Sequence, residues 1–257
     1  MLASFLRFPV KTGLFAFAVL LFMASAVWSA PGAKANGKED DVSIFKAFDL
    51  ENNKPVYVGF QTLSVEDTTL VQKVSYTRED GTLIHARDQL FNKDTLAVVS
   101  LKGEDQRTGR VEEIQVQGDT ITLKFKKNKT SKLETTTLKA KSNQYIGATM
   151  PFLIQQKWEE LQAGKEVTFD LIVVSRLEEL GFRLIKDRDD QVKGQSVSVI
   201  RLEPTSWVIK KIAPKMSFFM ANAADHKPLQ YEGRSVVTDD KGDDLMVRVV
   251  YDAEPKK

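Results

Sequence analysis

The feature that most constrains this chain is a period-two alternation of apolar and polar residues, renewed in one short segment after another and broken by tight-turn signals. Leu70, Val74 and Tyr76 share one face of a segment whose other face carries Lys73, Ser75 and Thr77. Asp80-Gly81 supplies a turn, and 83–90 runs back with Ile84, Ala86 and Leu90 on one side. Gly118-Asp119 introduces Ile121, Leu123 and Phe125, alternating with Thr120, Thr122, Lys124 and Lys126. Val167, Phe169, Leu171 and Val173 repeat the pattern. Near the end, 229–238 and 245–251 flank Asp239-Asp240-Lys241-Gly242-Asp243, and Leu245, Val247, Val249 and Tyr251 fall on one face of the second segment. Successive side chains of a strand point to opposite faces. Short strands joined by tight turns, with no helices between them, pair antiparallel.

Helix is scarce. One amphipathic helix is predicted at about 149–163, with Thr149 as its cap, Pro151 tolerated in its first turn and Gly164 stopping it. Leu153, Ile154, Trp158 and Leu161 make its apolar stripe, and Gln155, Gln156, Glu159 and Glu160 face outward. A second, shorter turn is predicted over 206–212, before Pro214. The fold class that follows is mainly β, α+β at the margin: a curved antiparallel sheet or half-open barrel with the helix laid on its concave or open face.

The N-terminus reads as an export signal. Residues 1–11 hold Arg7 and Lys11 and no acid, an apolar run covers 13–28, and small residues follow (Ser29, Ala30, Gly32, Ala33, Ala35). This is the layout of a secretory signal peptide over about 1–30, with cleavage expected between Ala26 and Ala35. There is no Arg-Arg pair for twin-arginine export and no cysteine after the run to receive a lipid. The competing reading is an uncleaved inner-membrane anchor over 13–30, which is at the lower edge of what spans a bilayer and has Trp28 at its interfacial end. In either case the body is expected outside the cytoplasm, in the periplasm. Residues 31–41 (PGAKANGKEDD) read as a polar linker, and 42–257 as a single β-rich domain without internal repeats.

Composition then excludes functions. The 257 residues contain no cysteine and two histidines, His85 and His226, which leaves no thiolate zinc site, disulfide framework or Cys nucleophile. No partner motif accompanies either histidine, and His226 falls in a turn-like Ala-Asp-His-Lys-Pro stretch. The formal charge is +2, but of the 37 Lys+Arg three (Arg7, Lys11, Lys34) lie in 1–35, leaving 34 against 35 acidic groups, or about −1, after cleavage. A nucleic-acid partner is therefore not expected. No nucleophile elbow, His-Glu-x-x-His, phosphate loop or dinucleotide fingerprint occurs. Catalytic residues, metals and cofactors are accordingly expected to be none.

Three groups remain as candidates. Phe152 and Trp158 on the helix, with Trp207, Met216, Phe218 and Met220 around Pro214, fit a groove for an acyl chain with the helix as lid; ordinary core packing explains the same residues. Lys124, Lys126, Lys127, Lys129 and Lys132 fit a basic hairpin tip for a polyanion or anionic headgroups, but lysine alone makes weak, nonspecific contacts, which favours a solvated hairpin that blunts an edge strand. Asp239 to Asp244 lacks the spacing of a calcium loop and reads as a polar turn. Asp88, Asp170 and Arg201 interrupt apolar strands and would need partners if turned inward.

The segments Trp158-Glu-Glu-Leu-Gln-Ala-Gly164, Val167-Thr-Phe-Asp-Leu171, Ser175-Arg-Leu177, Arg201-Leu-Glu-Pro204 with Ser206-Trp207, and Pro228-Leu-Gln-Tyr231-Glu-Gly-Arg-Ser235 resemble a family of exported bacterial proteins of unknown function, over about 55–251. The resemblance implies a curved β-sheet similar to that of periplasmic lipoprotein carriers and brings no catalytic residues with it. The expectation is a periplasmic, non-catalytic binder or carrier of an apolar envelope ligand, with a lipid or lipoprotein as partner. The alternative is an envelope assembly or scaffold protein that acts on another envelope protein through sheet edges or the lysine-rich hairpin.

Overall fold

In a computed structural model that describes residues 41–251, the alternation becomes one fifteen-stranded sheet. The first eight strands form a meander, each antiparallel to the last: β1 (Asp41–Asp49), β2 (Pro55–Glu66), β3 (Thr69–Thr77), β4 (Leu83–Asn92), β5 (Val98–Asp105), β6 (Val111–Gln117), β7 (Thr120–Lys126) and β8 (Glu134–Lys139). A two-residue strand, β9 (Gln144–Tyr145), lies parallel to β10 (Val167–Val173). A second antiparallel meander runs from β10 through β11 (Glu178–Val192), β12 (Gln195–Pro204), β13 (Met216–Ala221), β14 (Pro228–Thr238) and β15 (Asp244–Tyr251). The leader expected over 1–30 and nearly all of the 31–41 linker lie outside the described residues; the linker's last residue, Asp41, opens β1.

The meanders join at β1 and β15, paired from Phe45↔Tyr251 to Asp49↔Val247, so the first and last strands meet in the middle of the sheet. Its two edges, β8 and β9, are neighbours in sequence across 140–143, and that short connection forces the sheet to curl until its edges approach. Apolar contacts then bridge the gap, with Ile121 and Leu123 of β7 in one cluster with Ile172 of β10 and Val174 beyond it. The result is the expected half-open, barrel-like sheet.

The predicted helix is present but interrupted. It begins with a 3₁₀ turn at Gly147–Thr149 and continues as α1 (Met150–Gln156) and α2 (Trp158–Gln162), with Lys157 between them out of helical geometry (φ −103°, ψ 16°). Tertiary packing overrides the continuous pattern: Leu153 and Ile154 bury before the break, Trp158 and Leu161 after it. Thr149 holds the N-cap position of α1 but makes no side-chain capping bond. Its backbone is already near-helical, and its Oγ1 donates to Ile146 O at 2.8 Å. Gly164 does end the helix, with φ +76°, Gly164 N donating to Leu161 O and Lys165 N to Glu160 O, both at 3.0 Å. These helices fill the curve, packed on Phe91, Phe169, Leu184, Ile200 and Met220. The turn predicted over 206–212 is α3 (Trp207–Ile212). Among the described residues no helix is long and apolar enough to cross a membrane.

One face assignment is reversed. Tyr76 pairs with His85 but Thr77 pairs with Leu83, a bulge that leaves Ile84 as the extra residue. Beyond it, His85, Arg87, Gln89 and Phe91 point into the curve with Tyr76, Val74, Gln72 and Leu70, while Ala86 and Leu90 take the outer face.

Candidate ligand-binding cavity

The curl encloses a partly open cavity of about 360 Å³, within the range of ~300–1,000 Å³ typical of small-molecule sites. One wall is apolar and aromatic. Met216 and Phe218 of β13, Tyr231 of β14 and Val249 and Tyr251 of β15 line it, closed over by Met150 and Pro151 at the start of α1. The strand period explains why β13 serves this wall. Met216, Phe218 and Met220 alternate inward, whereas Phe219 faces the other way and packs with Val192, Val197 and Val199.

The floor at β1–β3 is a cluster of aromatic rings. Tyr76 stands edge-on to Tyr57 (5.3 Å between centroids) and to Phe45 (5.9 Å), and Tyr57 Oη shares a 3.2 Å hydrogen bond with Ser235 Oγ. The ring of Phe45 lies over bare Gly59, its Cζ 2.1 Å from where a Cβ would sit, so this approach requires glycine. Burial raises the phenols of Tyr57, Tyr231 and Tyr251 above their ordinary range and that of Tyr76 to about 12, so the wall stays uncharged.

The facing wall, on β2–β6, is polar. Gln61, Gln72 and Gln89 form a ladder across three strands, with Gln72 Nε2 donating to Gln61 Oε1 at 2.9 Å and Gln89 Nε2 to Gln72 Oε1 at 3.0 Å. Gln89 Oε1 ends the ladder with no partner among the described residues, although Gln89 is 2% exposed. Beside it, Glu112 accepts from Arg87 Nη2 at 2.5 Å and from Arg110 Nη2 at 2.5 Å and Nε at 3.2 Å. Burial alone would raise the Glu112 carboxyl, but the two flanking guanidinium groups outweigh it and hold it down to about 2. His85 lies behind Arg87, and burial followed by the Arg87 charge pushes it down to about 4, so its ring is neutral at pH 7. Gly103 makes room for both: a Cβ there would sit 3.2 Å from Arg87 Cγ and 3.5 Å from His85 Nε2.

Not all of the anticipated groove residues gather here. Met216 and Phe218 line the cavity. Phe152 is half-buried against Phe91 (5.8 Å between centroids), Met220 lies in the core, and Trp158 stacks on His226 at 4.0 Å. Trp207 is elsewhere. It is 69% exposed on α3, because Lys210 anchors that helix to Glu203 at 2.6 Å on the outer face and Lys211, 4.4 Å from its ring, is what covers the indole. Asp88 is exposed, Asp170 pairs with Lys141 at 3.3 Å, and Arg201 meets Asp187 at 3.1 Å and Glu203 at 2.9 Å, all away from the cavity.

Of the lysines, Lys124 on β7 pairs with Glu113 at 3.0 Å, Lys126 ends that strand, and Lys127, Lys129 and Lys132 are exposed on the connection to edge strand β8. In the 239–243 turn, Asp239 Oδ1 accepts from the backbone of Lys241 and Asp243, both at 2.8 Å, and Asp240 is held by Arg78 and Arg107 at 2.9 and 2.7 Å.

The polar wall is what sequence reasoning missed. Its signal was the run His85, Arg87, Gln89 at every second position ahead of Phe91, with Glu112 two residues before Ile114. The bulge at Tyr76/Thr77, which decides that this run faces inward, has no mark in the sequence.

No protein-family model matches the chain, and no curated protein matches it. Among solved structures it is similar to a β-barrel-like protein of domain of unknown function DUF1849 from Brucella abortus, at 8% identity and a TM-score of 0.46, over 84% of this chain and 98% of that one. It is also similar to a domain described as an outer membrane lipoprotein-sorting protein from Vibrio parahaemolyticus, at 9% identity and a TM-score of 0.27, over 85% of each.

Proposed function

We propose that the protein is a non-catalytic binder or carrier of an apolar ligand of the bacterial envelope, a lipid or an acyl chain, exported to the periplasm by residues 1–30 with cleavage between Ala26 and Ala35. The observation that carries the reading is the cavity of about 360 Å³ inside the sheet, with its wall of Met216, Phe218, Tyr231, Val249 and Tyr251. Water held against such a wall is released when a chain enters, and the area covered contributes ~25 cal/mol per Å². Native mass spectrometry of the exported protein tests this: a bound lipid supports the reading, and a protein that carries none and takes up no fatty acid when supplied with it contradicts it. The intact mass separately decides between cleavage and an anchor at 13–30.

A second reading is an assembly or scaffold role through protein contacts. Edge strand β8, with exposed Leu133 just before it and Lys127, Lys129 and Lys132 on its approach, supports it.

A further inference from the structure

The cavity's polar wall is not electrically balanced. Arg87, Arg110 and Glu112 line it together, two cations against one anion. The next charge, Arg234, is already paired with Asp244 at 2.6 Å. Asp105, near His85, is committed to Arg107 at 2.9 Å. One positive charge therefore remains on a wall whose two guanidinium side chains, Arg87 and Arg110, are each 11% exposed. An uncompensated charge held this far from water is costly unless something of opposite sign meets it.

The surplus sits on Arg87. Arg110 gives both Nε and Nη2 to Glu112 and lies over the Phe125 ring at 5.1 Å, whereas Arg87 makes one side-chain hydrogen bond, through Nη2. Arg87 Nε is buried without a partner among the described residues, and so are both ring nitrogens of neighbouring His85. A guanidinium carries five N–H donors in a planar fork that matches a carboxylate. Neither Gln89 nor neutral His85 supplies a negative charge.

We infer that the cavity takes a single-chain amphiphile with an anionic head, a carboxylate in the first instance, whose head meets Arg87 on the polar wall while its chain lies along the Met216–Phe218–Tyr231 side. This rests on the ligand reading above and adds a preference among ligands that an apolar cavity alone would not have. Hydrogen bonds to a charged partner are stronger than neutral ones, so an effect of about tenfold is expected once head-group desolvation is offset.

The test is isothermal titration of the purified full chain at pH 7.5 with three ligands of equal chain length, each below its micelle concentration or solubility limit: dodecanoate, dodecanol and dodecyltrimethylammonium. Dodecanoate is expected to bind about tenfold tighter than dodecanol, with the cation weakest. Arg87→Gln is expected to erase the advantage of dodecanoate over dodecanol. Equal affinities for dodecanoate and dodecanol in the unsubstituted protein overturn the head-group assignment while leaving the apolar cavity in place, as does an advantage that survives Arg87→Gln. Binding of none of the three removes the ligand reading itself. The comparison of ligands on the unsubstituted protein decides the matter even if Arg87→Gln fails to fold.

Discussion

Arg87 of β4 and Glu112 of β6 meet at 2.5 Å across the intervening strand β5, inside a sheet whose other inner surfaces are largely aromatic and aliphatic. The register makes the contact. Gly103 of β5 pairs with Arg87 on one side and with Glu112 on the other, and its missing side chain lets the two reach over it. A polar pair is thereby built into the wall of a barrel-like lumen.

Removing Glu112 should be costly. Its carboxylate is the shared acceptor for Arg87 and Arg110, so Glu112→Ala leaves two largely buried cations together and is expected to destabilise the fold by ~3–5 kcal/mol. The urea unfolding midpoint measures this. A loss below about 1 kcal/mol would mean that water reaches the pair freely.

His85 makes stability depend on pH above the carboxylate range. Its folded value, about 4, lies below the ordinary imidazole value of 6.5, so between these limits the unfolded chain binds a proton that the folded chain does not. Its contribution is complete above pH 6.5 and is lost as pH falls toward 4, by up to ~3 kcal/mol. Denaturant midpoints from pH 7 to 4.5 should fall for the unsubstituted protein and stay nearly level for His85→Phe; parallel curves would refute the assignment. Glu112 acts in a lower window. Held at about 2, it contributes stability above its unfolded value near 4.5 that disappears as pH drops toward 2.

Gly59→Ala probes the aromatic floor. The Phe45 ring occupies the space a methyl would need, and both flanking strands are fixed by pairing, so the expected loss is ~1–3 kcal/mol with the fold retained. Thermal unfolding monitored by near-ultraviolet circular dichroism reads both the loss and the repacking of the tyrosines; an unchanged midpoint would show that Phe45 moves aside without cost.

Much of the architecture was legible because a sheet writes itself in period two. The segments at 70–76, 121–126, 167–173 and 245–251 are strands with the expected faces, and the scarcity of helix followed from the same pattern. What was not legible depends on events that leave no local trace. The bulge at Tyr76/Thr77 turned His85, Arg87 and Gln89 inward. The ion pair of Lys210 with Glu203 set Trp207 outside, although composition alone puts a tryptophan in the core or a groove. The pairing of β1 with β15, which defines the lumen, joins residues about two hundred positions apart.

The lysine hairpin separates the two functional readings. Replacing Lys126, Lys127 and Lys129 together with glutamine should change stability by no more than ~0.5 kcal/mol, since these side chains lie on a strand end and an exposed connection. Lipid uptake that persists alongside a lost interaction with an envelope protein, measured by pull-down, would support the scaffold role. An unchanged pull-down would leave these lysines as solubilising residues of an edge strand.

The most direct measurement of the central claim is saturable uptake of a fluorescent fatty-acid probe by the unsubstituted protein, Met216→Trp and Trp207→Ala. Met216 lines the cavity and Trp207 lies outside it. Filling the lumen at 216 should weaken the probe by about tenfold or more, the scale of a lost buried side-chain contact, while truncation at 207 leaves it unchanged. No saturable uptake by the unsubstituted protein, or equal uptake by all three, would contradict the account.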